Sequence, residues 1–124
     1  MIEVKLGTGT AVRIEESYEP NFEAKAFFPD WDPAVVQRHR DWLLPAHYDE
    51  ASGWLKLSVH SWLLKVGGKN ILIDTCVGNH KPLPHRPKWH LMETKYLERL
   101  KAAGVEPDQV DMVMCTHLHA DHVG

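Results

Sequence analysis

Cysteine and long apolar runs are the scarcest features of this 124-residue sequence. Only Cys76 and Cys115 are present, and they form no CxxC pair, so we expect no disulfide framework and a reducing compartment such as the cytoplasm. Free cysteine is among the most buried residue types, so both thiols are predicted to be buried. No apolar stretch approaches the roughly 18 residues of a membrane span, and the first residues do not resemble a secretory signal.

Clusters of positive charge are also missing. The formal net charge is -3, and Lys and Arg are scattered along the chain. This balance gives no electrostatic reason to expect nucleic acid or an anionic membrane as a partner, so a small-molecule substrate is the expected ligand. The length is enough for one domain with a modest core.

Histidine, by contrast, is abundant, and its placement is informative. Of nine histidines, three lie with an aspartate at the end of the sequence, as His117, His119, Asp121 and His122. Residues two apart in an extended segment project to one side, so His117 and His119 can reach one metal ion. If the chain turns, Asp121 and His122 can face a second ion. Zn²⁺ binds histidine nitrogen and carboxylate oxygen, and two ions can hold a nucleophilic hydroxide. The alternatives are a solvated histidine-rich tail or adventitious metal binding.

The first 50 residues are predicted to form an N-terminal extension or arm with one helix. Weak alternation of apolar and polar residues indicates short strands over 2–6 and 10–15. Residues 17–32, which contain two prolines and three phenylalanines, are predicted to be irregular. Asp32-Pro33 is typical of a helix start, and this helix should end near Leu44, before a proline.

Residues 51–124 are predicted to form a mostly antiparallel sheet with helices, in the α/β (α+β) class. A β-rich run over 54–66 is followed by Gly67-Gly68 and a buried strand over 71–73, which together indicate a hairpin. A helix is predicted over 90–103, with Gly104 directly after it. A second buried strand, over 111–115, leads into the histidines. The proline-rich residues 80–89 should form a loop on the surface or on the substrate side.

The segment 114–124, which reads Met-Cys-Thr-His-Leu-His-Ala-Asp-His-Val-Gly, resembles the signature of the metallo-β-lactamase superfamily. The strand and turn at 71–75 resemble an earlier strand of that family, so the resemblance covers about 58–124. It is nearest to the lactonase and organophosphate-hydrolase-like branch, which often carries an N-terminal extension. The resemblance implies that residues 51–124 form the first half of an αββα sandwich, truncated after the H-x-H-x-D-H motif.

The resemblance also implies a role for each site residue. His117 and His119 would bind a first zinc ion, and Asp121 and His122 a second. Asp121 would in addition orient or deprotonate the attacking water. Asp74 would stabilise the loop that carries the metal ligands without binding the metal itself, or it would cap backbone N–H groups, or do both. The implied function is a zinc-dependent hydrolase that uses a metal-bound hydroxide on an ester, lactone, amide or phosphoester.

Two departures from the family pattern qualify this interpretation. Cys76 stands where many relatives have glycine. The sequence also stops at Gly124, which leaves each zinc with two named ligands. We therefore expect the chain alone to be inactive, marginally stable and prone to self-association, with a homodimer possible. Two alternatives stay open: a non-catalytic metal-binding fragment or pseudo-domain, and a di-iron redox relative of the same fold. The intact motif, in which no glutamate replaces a histidine, favours zinc over iron.

Overall fold

The computed structural model describes residues 2–124, and the chain divides into two compact units. The first unit comprises residues 2–17 and 59–124, and the second comprises residues 18–58. The strands, in chain order, are β1 (Ile2–Leu6), β2 (Gly9–Glu23), β3 (Tyr48–Asp49), β4 (Trp54–Val66), β5 (Lys69–Ile73) and β6 (Met112–Met114). The helices are α1 (Ala24–Phe27), α2 (Ala34–Arg38), α3 (Arg40–Leu43) and α4 (Tyr96–Ala102). Residues 2–17 thus belong to the unit that contains the histidine motif, and the domain boundary at residue 50 stays a prediction.

The first unit is built on a mixed sheet with the strand order β1-β2-β4-β5-β6. β1 pairs with β2 and β4 pairs with β5 in antiparallel fashion, whereas β6 is parallel to β5. Together with the few helices, this sheet confirms the predicted α/β (α+β) class. The hairpin predicted at Gly67-Gly68 is present, and both glycines have positive φ, as a tight two-residue turn requires.

The core of the first unit lies between the central strands and α4. Leu63 is fully buried, and Leu100 on α4 is 2% exposed. The other buried apolar side chains of this unit are Val12, Ile14, Val59, Leu72, Cys76, Val77, Trp89, Tyr96 and Val105. β6 differs from this pattern, because Met112, Val113 and Met114 are each half exposed. The prediction of a buried strand over 111–115 is therefore wrong: within residues 2–124, β6 pairs only with β5 and stands at the edge of the sheet.

Helix α4 begins later than predicted but ends as predicted. The Asn79 side chain accepts hydrogen bonds from the backbone N–H and hydroxyl of Thr94 and donates one to the Thr94 carbonyl. These bonds hold the segment before α4 in the preceding loop, so the helix starts at Tyr96 instead of His90. Gly104 follows the helix with a φ of +81°. At seven residues α4 is the longest helix in residues 2–124, and none there is long and apolar enough to cross a membrane.

The second unit corrects two predictions for the N-terminal region. β2 continues to Glu23, so part of the segment predicted to be irregular is a strand. The single helix predicted from Asp32-Pro33 to Leu44 is divided into α2 and α3 at His39, whose φ of -127° lies outside the helical range. The small strand β3 pairs with the start of β4, where Tyr48 lies opposite Leu55.

Candidate metal centre

Two neighbouring parallel strands bring the predicted site residues to one edge of the sheet. Ile73 at the end of β5 lies opposite Met114 at the end of β6, so both strands end at the same level. The Asp74 N–H continues this pairing with a 2.7 Å hydrogen bond to the Met114 carbonyl. Asp74 and the histidine motif leave the sheet side by side, although they are more than 40 residues apart in sequence.

Asp74 connects the two segments through its side chain. One carboxylate oxygen accepts a 2.7 Å hydrogen bond from the Thr116 N–H, and the other lies 2.8 Å from Nδ1 of His122. The Thr116 hydroxyl contacts both oxygens. Burial opposes the ionisation of Asp74, but the bonds from Thr116 and His122 outweigh it and hold the pKa of the carboxyl below its usual value. Asp74 therefore contacts both a backbone N–H and a predicted zinc ligand; its role toward a metal stays a prediction.

The three histidine rings of the motif lie together. Nε2 of His117 is 3.1 Å from Nδ1 of His119, and the ring centroids of His117 and His122 are 3.9 Å apart. Nε2 of His122 faces the Asp121 carboxylate at 3.5 Å. The structure thus brings together all four predicted metal-binding side chains. Among residues 2–124, however, no group of three or more His, Cys, Asp or Glu is arranged to hold a metal ion.

Two pairs of donor atoms have spacings that can be compared with those of zinc ligands. Two nitrogens bound to one tetrahedral zinc at about 2.0–2.1 Å lie about 3.3 Å apart. The 3.1 Å between the His117 and His119 nitrogens is close to this separation. His122 uses Nδ1 toward Asp74, which leaves Nε2 beside the Asp121 carboxylate as the second pair. A carboxylate on the far ring nitrogen is a common support for histidine ligands.

The turn after Asp74 gives position 76 a backbone conformation that favours glycine. Cys76 is fully buried and has a φ of +61°, a left-handed backbone conformation that residues other than glycine rarely adopt. Its Sγ lies 3.2 Å from the hydroxyl of Ser61, which in turn accepts a 2.7 Å hydrogen bond from Tyr96. Burial raises the pKa of the Cys76 thiol to about 12, despite the hydrogen bond with Ser61. Cys115, in contrast, is exposed, so the prediction of two buried thiols is wrong for that residue.

The end of the motif packs against the backbone of this turn. The Gly124 N–H donates a 2.9 Å hydrogen bond to the Cys76 carbonyl, and the Thr75 N–H donates a 3.1 Å bond to the His122 carbonyl. Nζ of Lys81 donates to the Val123 carbonyl at 3.1 Å. These three contacts fix the path of the chain directly after the metal-binding residues.

Glu16 on β2 is a buried residue near this turn that sequence analysis did not single out. Its two carboxylate oxygens accept hydrogen bonds from the N–H groups of Val77 and Gly78. The partners are 61 and 62 residues away in sequence. No local pattern therefore signals the contact, and Glu16 looks like any polar residue in an alternating strand.

The proline-rich loop that precedes α4 is organised by its own contacts. Asn79 and Thr94 pair at its base, and the His80 N–H donates a 2.8 Å hydrogen bond to the Met92 carbonyl. Trp89 is buried, with the guanidinium of Arg86 5.2 Å from its ring centroid. The loop, residues 79–94, is thus a closed surface segment whose base adjoins the end of β5 and the motif.

Comparisons with known proteins agree with this architecture. A family model described as the metallo-beta-lactamase superfamily matches residues 54–124, more than half of the chain. None of the curated proteins compared with the chain matches it.

Several solved structures share the fold. One is hydrolase AbOPH of the beta lactamase superfamily, with 24% identity and a TM-score of 0.69 over 97% of this chain. Another is a probable metal-dependent hydrolase from Staphylococcus aureus, with 20% identity and a TM-score of 0.71 over 96% of this chain. A third is AidC, a dizinc quorum-quenching lactonase, with 20% identity and a TM-score of 0.70 over 98% of this chain. The chain spans only 36%, 41% and 37% of their respective lengths.

Proposed function

Because the chain belongs to the metallo-beta-lactamase superfamily, we propose that it carries the first half of the zinc site of a hydrolase. The observation that supports this proposal best is the 3.1 Å approach of Nε2 of His117 to Nδ1 of His119, which suits two ligands of one tetrahedral ion. We assign His117 and His119 to a first zinc, and Asp121 and His122 to a second.

The chain's own residues would bind the zinc ions, orient the attacking water and hold the ligand side chains in place. Zinc, when bound, polarises the oxygen of a carbonyl or phosphoryl group and makes water acidic enough to attack at neutral pH. The Asp121 carboxylate would orient the attacking water and accept its proton. Asp74 would fix the ring orientation of His122 through Nδ1, so that Nε2 faces the metal.

The substrate class follows from the chemistry of such a site. We propose an ester, lactone, amide or phosphoester, each of which develops negative charge on oxygen during hydrolysis. A lactone is a good first candidate because AidC, which shares the fold, is a lactonase. We therefore propose a small-molecule substrate and no nucleic acid or membrane partner. A homodimer and a cytoplasmic location also remain proposals.

Zinc binding by the chain itself is the direct test. We would measure zinc content and the affinity for zinc by competition with a chromophoric chelator, for the wild type and for His117→Ala. His85→Ala is the matched control, because His85 is also an exposed histidine but lies in the loop 79–94. We expect His117→Ala to weaken zinc binding at least tenfold, since the variant leaves the first ion with one of its two proposed ligands in this chain. His85→Ala should bind like the wild type.

Other outcomes would change the assignment. If His117→Ala and His85→Ala weakened zinc binding equally, the binding would be adventitious and due to scattered histidines. If the wild type bound no zinc, the zinc site would be refuted. Preferential binding of iron would favour the redox alternative. Zinc binding without hydrolysis by a protein that completes the ligand set would favour a non-catalytic metal-binding domain. With only two ligands per ion in residues 2–124, we expect this chain alone to hydrolyse lactones no faster than free zinc.

A further inference from the structure

Glu16 is an ionisable residue in the interior of the first unit. It is 3% exposed, and a buried carboxylate is costly unless its oxygens are hydrogen-bonded. Each oxygen has one backbone donor: Oε2 accepts from the Val77 N–H and Oε1 from the Gly78 N–H, both at 2.9 Å. The carboxylate therefore holds two consecutive peptide groups of the turn that follows Asp74.

The same turn holds the end of the histidine motif. Immediately before Val77, the Cys76 carbonyl accepts the Gly124 N–H and the Thr75 N–H donates to the His122 carbonyl. A continuous path of bonded backbone thus leads from Glu16 to His122 and Gly124.

Close packing reinforces this path at its far end. A Cβ at Gly78 would lie only 3.1–3.2 Å from backbone atoms of Gly124, so the two segments are in direct contact there. A rotation of the Gly78 peptide would therefore displace Gly124 as well.

We propose that Glu16 is a positioning residue of the metal centre, which acts through the backbone of residues 75–78. Loss of the carboxylate leaves two buried N–H groups without an acceptor. The turn then rotates toward other acceptors, and the His122 backbone loses its fixed position relative to Asp74. The metal centre in this proposal rests on the proposed zinc site. The hydrogen bonds of Glu16 to Val77 and Gly78 do not depend on a bound ion.

The first test is hydrogen exchange of the metal-free chain, comparing Glu16→Gln with Glu15→Gln. The neighbouring Glu15 is the matched control, because its carboxylate pairs with Arg13 instead of the turn. A glutamine keeps the size of the side chain but presents an NH₂ group to one of the two donors. We expect the Thr75 and Gly124 amides to exchange about tenfold faster or more in Glu16→Gln, and at the wild-type rate in Glu15→Gln. Unchanged exchange at Gly124 in a folded Glu16→Gln variant would overturn the proposal.

Cobalt(II) titration tests the consequence for the metal centre. A purely structural role would lower the urea midpoint but leave the visible absorption bands of the cobalt-loaded, folded protein unchanged. We expect Glu16→Gln to shift these bands and to weaken cobalt binding about tenfold, while Glu15→Gln matches the wild type. Identical spectra in all three proteins would contradict positioning. A wild type that takes up no cobalt would refute the zinc site, while hydrogen exchange would still decide whether Glu16 holds the motif.

The wild type alone gives a decisive result if Glu16→Gln does not fold. The amides of Thr75, Val77, Gly78 and Gly124 should then exchange as one cooperative group, within about threefold of each other after correction for intrinsic rates. Exchange of Gly124 more than about tenfold faster than that of Val77 and Gly78 would show that the turn does not hold the motif, and the proposal would fail.

Discussion

Gly124→Ala should detach the end of the histidine motif from the turn at residues 75–77. A Cβ at position 124 would fall against the carbonyl oxygen of Thr75, 2.6 Å from the carbonyl carbon of Val77 and 2.7 Å from the carbonyl oxygen of Cys76. All three neighbours are backbone atoms, so no side chain can rotate away to make room.

The size of the effect follows from this geometry. Ordinary contacts of carbon with carbon or oxygen begin near 3.4 Å, so the 2.6 Å approach to Val77 alone requires the two segments to separate by about 0.8 Å or more. Overpacking of this kind typically costs about 1–3 kcal/mol, and the hydrogen bond from Gly124 to Cys76, worth about 1 kcal/mol, is lost as well. We expect a total cost of about 2–4 kcal/mol, limited by how far the segment 122–124 can move away from the turn.

Amide spectra and urea unfolding would measure this effect. The amide signals of Thr75 and residue 124 should shift and lose protection in Gly124→Ala, and zinc affinity should fall. Gly67→Ala is the control: its Cβ would meet nothing within 4 Å, so it carries only the strain of a positive φ. If Gly124→Ala kept the wild-type amide shifts at Thr75 and bound zinc equally well, the close packing inferred here would be refuted.

Two further predictions concern ionisable groups. Hydrogen bonds from Lys69 and from the Asn70 N–H hold the pKa of Asp111 below its usual value, so its stabilising contribution is present above the unfolded-state pKa and lost as the pH falls through the folded-state pKa. Asp111→Asn should therefore lower the urea midpoint more at pH 7 than at pH 3, and an equal decrease of the midpoint at both pH values would contradict this linkage. Ellman's reagent should modify one thiol in the native chain, Cys115, and the buried Cys76 only after unfolding in urea; two fast native equivalents would rule out the described burial.

The sequence predicted those elements whose conformation depends on residues close together in the chain. The β4–β5 hairpin was predictable because Gly67-Gly68 can adopt the positive φ values of a tight turn between two apolar runs. The start of α4 at Tyr96 was not predictable, because the hydrogen bonds that keep the preceding residues out of the helix join Asn79 to Thr94 across a loop. The exposure of β6 does not follow from the residues of the strand itself, since an apolar strand has the same sequence whether or not other elements cover it.

The candidate site shows the same division. His117, His119, Asp121 and His122 follow one another in sequence, so their clustering was predictable from the spacing alone. Asp74 was predicted because residues 71–75 resemble an earlier strand and turn of the metallo-β-lactamase superfamily, and the structure places it at the end of β5 beside β6. Glu16 was missed because its importance depends on tertiary contacts with backbone N–H groups, which leave no trace in the residue types of Val77 and Gly78.

The pairing of Asn79 with Thr94 has a consequence for how such proteins diversify. Because the loop closes at its own base, its interior can lengthen, shorten or change composition while its two ends stay together. The exit of β5 and the entry of α4 are thereby insulated from such changes, whereas the motif keeps one contact with the loop interior, from Nζ of Lys81 to the Val123 carbonyl. If the proposed function holds, variation of the segment between the two residues would alter the surface presented to a substrate while the ends of β5 and α4 stay in place.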